Sequence, residues 1–249
     1  MRAIILAAGV GARLGSGEDH PPKAMLRFAE RTLLSRHLKI LHHCGLEEVV
    51  VVTGYNAEIL EEAVSLQKAE GFVRTLMNQD FRLGSILSLW TAQNVLRCGD
   101  EILLMDADVL SDFRMIERLL DSENANCFLM DRDFEAGDEP VKLCIRDGKI
   151  VDFHKKVANT YDFCGESVGF FRFSPGIARR LASRTQAYVD EGRGEEWYEE
   201  AIRDLVIECP SGTFGFEDVT DLPWIEIDFP EDVERAREEV LPQLKDPEA

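Results

Sequence analysis

The chain has 249 residues, 47 of them Asp or Glu against 28 Lys or Arg, for a formal net charge of −19. That length can bury a large core, but so acidic a chain lacks the clustered cations a nucleic-acid partner requires. Six scattered cysteines with no C-x-x-C spacing read as reduced thiols of a cytoplasmic protein, and no apolar run is long enough for membrane insertion.

In chain order, Arg2 to Ala8 is an apolar run with no charge after Arg2, as expected of a strand buried on both faces. It lacks a cleavage site and opens at once into glycines, so it does not read as a signal peptide. Leu33, Leu34, Leu38 and Leu41 recur at helical spacing between Thr32 and Cys44, closed by Gly45. Glu48–Thr53 is a second buried strand, and Asn56 is placed to cap a helix running to about Glu70. Gly71–Met77 predicts a third strand, Ser85–Val95 a third helix and Glu101–Met105 a fourth strand.

From about residue 125 the pattern changes. Phe128–Met130, Val141–Ile145, Lys149–Phe153 and Phe163–Phe173 are strand-like, with Asp147-Gly148 as a hairpin turn. Helices follow over Pro175–Val189 and Trp197–Leu205, then a strand over Trp224–Asp228 and an acidic helix over Pro230–Leu241. Strand and helix alternate in the first half, which predicts an α/β fold: a Rossmann-like, mostly parallel sheet with helices on both faces. A smaller mixed part completes it. The expected parse is one unit over 1–249, with a nucleotide-binding half to about 124 and an acceptor half from about 125.

The first strand runs into Leu6-Ala7-Ala8-Gly9-Val10-Gly11-Ala12-Arg13, and Pro22-Lys23 follows. Gly9 and Gly11 permit positive φ and leave no Cβ to hold a ligand away, so backbone N–H groups can point at phosphate oxygens. Arg13 and Lys23 add fixed positive charge. A dinucleotide fingerprint needs a third glycine where Leu14 stands, and a Walker A loop needs a Gly-Lys pair that first occurs at Gly148-Lys149. The loop reads as a nucleoside triphosphate cradle, or else as an ordinary strand–turn–helix with surface charges.

Other candidates fall at predicted strand ends, where ligands bind on such sheets. Asp106 and Asp108 end the fourth strand and offer the hard oxygens that magnesium takes, or else simply cap the next helix. Asn78, Gly84 and Ser85 follow the third strand. An amide and a bare backbone could read a base edge there, and the same residues would equally serve a helix N-terminus. In the second half Trp90, Tyr161, Trp197, Tyr198 and Trp224 supply aromatic faces, and Glu166, Glu199 and Glu226 supply acid. Rings plus carboxylates make a pocket for an ammonium head. Core packing is the plainer role for the same residues.

The motif L-A-A-G-x-G-x-R-(x)n-P-K resembles the signature loop of the sugar-phosphate and phosphoalcohol nucleotidyltransferases. Cys164-Gly-Glu166-Ser-Val-Gly-Phe-Phe-Arg-Phe173 resembles a segment of the phosphocholine cytidylyltransferase-like branch, whose relatives act on inositol 1-phosphate and 2-aminoethylphosphonate. The resemblance implies a nucleotide-diphospho-sugar transferase-like fold and a loop over Leu6–Gly11 wrapping CTP, with Arg13 and Lys23 neutralising its phosphates. It implies Asp108 and Asp228 as ligands of Mg2+, Asp106 as their neighbour at the nucleotide, and Lys156 on the phosphate of a small phosphorylated or phosphonate acceptor. In this reading the acceptor oxygen, already anionic, attacks the α-phosphorus without a general base and pyrophosphate leaves.

Leu83–Trp90 lacks the Asn-rich stretch associated with phosphocholine enzymes, so inositol and phosphonate acceptors stay open. A sugar-1-phosphate nucleotidyltransferase and a non-catalytic nucleotide-binding regulator are the other readings. A homodimer is compatible with the sequence; a nucleic-acid partner is not expected.

Overall fold

A computed structural model describes residues 1–14, 20–66, 71–135, 137, 139–157 and 159–247. Its first half runs β1 (Arg2–Leu6), a hairpin of β2 (Arg27–Phe28) and β3 (Arg31–Thr32), α1 (Leu33–His43), β4 (Glu48–Thr53), α2 (Ala57–Leu66) and β5 (Val73–Met77). Then come α3 (Ile86–Thr91), α4 (Gln93–Leu96), β6 (Ile102–Asp106), β7 (Val109–Ser111) and α5 (Phe113–Asp121). The second half holds β8 (Cys127–Asp131), β9 (Lys142–Arg146), β10 (Lys149–His154), β11 (Phe163–Phe173), α6 (Pro175–Asp190) and α7 (Tyr198–Glu208). It closes with β12 (Gly215–Asp218), β13 (Trp224–Glu226) and α8 (Pro230–Arg235).

Among the described residues nine strands form one sheet. The path β5-β4-β1-β6 is parallel, and β11 joins β6 antiparallel. The long β11 then pairs with both β8 and β9, with its register shifting between Ser167 and Phe171. Successive side chains face opposite sides of a strand. Ile4, Val50, Val52, Ile102 and Leu104 therefore pack into one core, and Ala3, Ile5, Val49, Val51 and Leu103 into the other. Burial on both faces explains the uninterrupted apolar runs.

The expected alternation holds, with local corrections. The helix predicted over Ser85–Val95 divides at Ala92, whose ψ of 9° leaves the helical region and whose N–H bonds Leu89 O at 3.1 Å. Asn56 precedes α2 in a left-handed conformation (φ 47°) rather than the extended one of an N-cap, and its amide donates to His20 O. The predicted extension of α2 to Glu70 falls outside the described residues. The closing helix keeps α form only to Arg235 and then loosens into a π turn over Ala236–Val240. Asp147 and Gly148 do take left-handed conformations, φ 50° and 71°, as a tight hairpin requires. Among the described residues no helix is long and apolar enough to cross a membrane.

Candidate functional site

β1 delivers the glycine loop to the carboxyl edge of the parallel sheet. Leu6, Ala7, Gly9, Gly11, Arg13 and Lys23 line a cavity of about 270 Å³. Ala8 lies behind them, buried, with its carbonyl accepting from Tyr55 N. Gly11 is left-handed (φ 65°), and a Cβ there would stand 3.2 Å from the Lys23 side chain. A bare residue is therefore needed where the loop turns past the lysine.

β7 and β13 bring the metal-type carboxylates together. They pair antiparallel with Glu226 opposite Val109, and Ile227 N donates to Asp108 O at 3.0 Å. This register carries Asp228 back beside Asp108. Ligand oxygens of Asp108, Glu226 and Asp228 lie within 4.8 Å of one another. Three close carboxylates repel strongly. Lys23 Nζ answers part of that charge, reaching Asp108 at 2.8 Å and Asp228 at 2.6 Å. Burial alone would lower the Lys23 pKa, but the two aspartate charges hold it above its ordinary value. Glu226 is itself exposed, yet desolvation by the protein around it, then the Asp108 and Asp228 charges, raise its carboxyl above the usual range. An all-oxygen, net-negative set of this kind suits a hard divalent cation. Glu226 is expected in the acceptor pocket and does line it; its further place beside Asp108 and Asp228 is signalled by its two-residue spacing from Asp228.

A second cavity of about 660 Å³ opens on the other side of Asp228. Its lining includes Asp106, Asp131, Glu166, Glu199, Glu226 and Trp224. Asp106, expected at the nucleotide, lies here instead: Tyr198 Oη donates to its Oδ2 at 2.6 Å. Burial, then the Asp108 and Glu199 charges, hold the Asp106 carboxyl well above its ordinary value. Glu166 stands directly across the β11–β8 ladder from Asp131. Burial and then Asp131 raise Glu166 to about 7, and burial raises Glu199 to about 7 as well. Glu199 Oε2 is buried without a hydrogen-bond partner among the described residues. Lys142, opposite Glu166 on β9, donates to the Gly137 and Lys155 carbonyls. Trp224 lines the cavity and its Nε1 locks Asp131 Oδ2 at 2.7 Å.

Several expected contacts go elsewhere. Trp90 donates to Gln186 on α6 at 2.8 Å and does not line the cavity. Lys156 is exposed; its neighbour Lys155 lines the cavity, 4.8 Å over the ring of Trp197, which is 48% exposed and does not itself line the cavity. Asn78 is buried, donating to Ser88 Oγ and accepting from Asp80 N, so both ends of its amide serve the fold. Gly84 meets protein rather than a base, since a Cβ there would overlap the Glu196 carbonyl. Ser85 Oγ accepts from Tyr198 N at 2.9 Å and so caps α7, not α3.

A glycine cradle with a lysine between two aspartates thus stands at the edge of the parallel sheet and faces an acidic cavity. The chain belongs to the MobA-like NTP transferase domain family, whose model matches residues 3–200. The CMP-5'-(3-aminopropyl)phosphonate synthase of Streptomyces rubellomurinus is 26% identical over 95% of this chain and 38% of its own length. The CTP:phosphoglutamine cytidylyltransferase of Campylobacter jejuni is 24% identical over 94% and 98%, respectively. A bifunctional IPC transferase and DIPP synthase of Rubrobacter xylanophilus is 31% identical over 96% of this chain and 52% of its own length. The chain thus spans about half or less of two of these relatives. The inositol-1-phosphate CTP transferase of T. maritima superposes with a TM-score of 0.74 at 20% identity, covering 96% of this chain and 97% of the other.

Proposed function

We propose that the chain, acting as one unit over 1–249, transfers a cytidylyl group from CTP to the phosphate or phosphonate of a small acceptor carrying an ammonium group, with release of pyrophosphate. The observation that carries this reading is the meeting of two unlike cavities at Asp108, Glu226 and Asp228: a cradle with Arg13 and Lys23 on one side, an acid-lined chamber on the other. The relatives named for CTP and for amino-bearing or phosphorylated acceptors support the choice of nucleotide.

Asp108 and Asp228, joined by Glu226, would hold Mg2+, which when bound supplies positive charge to the α-phosphate and acceptor oxygens. The chain's own residues do the rest. Loop amides at Gly9–Gly11 and the Arg13 and Lys23 cations take up charge on the departing pyrophosphate. Lys155, rather than Lys156, presents a cation to the acceptor's anionic group. Asp131, Glu166 and Glu199 face its ammonium, and the Trp224 and Tyr198 rings flank it. The acceptor oxygen is already an anion, so the work is to hold two polyanions in line.

The acid lining favours an ammonium acceptor over inositol 1-phosphate or a sugar phosphate, neither of which brings positive charge. A matrix of nucleoside triphosphates against 2-aminoethylphosphonate, 3-aminopropylphosphonate, phosphocholine, inositol 1-phosphate and glucose 1-phosphate, read by pyrophosphate release, tests this. CTP with an amine-bearing acceptor should give the highest kcat/KM. Turnover confined to a sugar phosphate would refute the reading, and binding of nucleotide without turnover on any acceptor would favour a regulator.

A further inference from the structure

The two cavities meet beside a side chain that the catalytic reading does not use. Glu139 lines the acceptor cavity and is exposed. Its Oε2 lies 3.2 Å from Arg13 Nη1 and 3.4 Å from Lys155 Nζ. One carboxylate oxygen thus bridges two cations from opposite walls, Arg13 from the nucleotide loop and Lys155 from just past β10. Arg13 also reaches Asp228 at 3.4 Å, so the bridge sits next to the metal-type carboxylates. The surroundings make this placement informative. In a chamber lined by many acidic groups, cations converging on one point are scarce, and the oxygen between them is where an anion is most favoured.

We propose that Glu139 is a resident anion covering Lys155 at the seat of the acceptor's phosphate or phosphonate, beside the Arg13 that serves the nucleotide, so that the acceptor binds by displacing Glu139 from Lys155. The assignment of that seat rests on the transfer reaction proposed above; the competition between Glu139 and an external anion does not. An exposed bridge of this kind is weak, so an incoming dianion displaces it readily. The contact acts as a competitor built into the chain: it weakens anion binding without blocking it. It also keeps Arg13 and Lys155 from being drawn wholly onto the neighbouring carboxylates.

Inorganic phosphate is the probe that separates this inference from the reaction itself. Phosphate binding is measured by calorimetry on the full chain, for wild type, Glu139→Gln, Lys155→Ala and the double variant. Glu139 is exposed, so Glu139→Gln is expected to fold as the wild type does. The inference requires Glu139→Gln to bind phosphate about two- to fivefold more tightly, the range an exposed ion pair carries. It also requires the gain to vanish in the double variant, since phosphate held in the glycine cradle would not sense Lys155. Equal or weaker phosphate binding by Glu139→Gln overturns the inference, as does a gain that survives Lys155→Ala. Where an acceptor turns over, Glu139→Gln should lower the acceptor KM by the same factor, with kcat unchanged. A chain that turns over no acceptor would refute the proposed function and leave the phosphate result to decide this point alone.

Discussion

Gly169 and Asp106 fit together with no room to spare: residue 169 has φ 78°, and a Cβ built there would overlap the Asp106 carboxylate. Asp106 ends β6, and Gly169 lies within β11 where its register against β8 shifts. The glycine of the E-S-V-G segment therefore lets the acceptor-side strand close onto the carboxylate that Tyr198 holds. A motif first read as a family signature has a steric cause.

Gly169→Ala should accordingly lose stability and acceptor binding together. The left-handed backbone alone costs roughly 1–2 kcal/mol for a residue with a Cβ, and the overlap with Asp106 adds to it. Thermal unfolding and acceptor KM measure the two effects. Asp106→Ala in the same chain should recover part of the Tm, since it removes the overlap. An unchanged Tm for Gly169→Ala would show that the strand has space the structure does not give it.

The carboxylate cluster makes a separate prediction. Asp108→Ala removes one of two oxygens that Lys23 binds and one of three that face a cation. Turnover should fall by roughly 10²–10³-fold, the scale for losing a group that stabilises transition-state charge, and Mg2+ titration should show weakened metal dependence. Lys23→Ala should lower kcat on a similar scale and leave acceptor binding alone, because Lys23 lines the nucleotide cavity only. Near-normal magnesium-dependent turnover in Asp108→Ala would remove Asp108 from the metal site.

Much of this was legible in the sequence because the signal was local. The β1 run into Gly9 and Gly11 and the apolar runs of β4 and β6 follow from period and residue type, whereas pairing Asp108 with Asp228 rests on the family resemblance. Residues whose role depends on which distant segment packs against them were misread. Gly84 and Ser85 looked like a base-reading turn, but what meets them is the start of α7, more than 100 residues on. Asp106 faces the other cavity from Asp108 because Tyr198, 92 residues on, holds its carboxylate there. Lys155 and Lys156 differ by one position, and only the turn after β10 decides which reaches the cavity.

The Gly84 correction is itself testable. A Cβ at residue 84 would overlap the Glu196 carbonyl, and Gly84 N donates to Gly194 O at 2.9 Å. Gly84→Ala should lower Tm and displace the start of α7, with the loss appearing in acceptor KM through Tyr198 and Glu199. The ratio of kcat/KM for CTP over UTP should be unchanged. A variant with wild-type Tm and altered base preference would return Gly84 to the nucleotide.

The acid wall sets a pH dependence whose sign follows from Glu166. Burial, then Asp131, raise it from an ordinary 4.5 to about 7. Between those values the unfolded chain has released this proton and the folded chain retains it, so the contribution of Glu166 to stability is fully present below about 4.5, is lost as pH rises and levels off above about 7. An ammonium acceptor favours the ionised carboxylate, so its affinity should rise over the same interval in which the free protein loses stability. Binding near pH 7 should release protons, seen as a calorimetric enthalpy that varies with the buffer's ionisation heat. Glu166→Gln should flatten the rise in acceptor affinity and reduce the proton release, with any remainder reporting Glu199, which also stands at about 7. Acceptor affinity that falls as pH climbs from 5.5 toward 7.5 would mean that the cavity does not receive a cation.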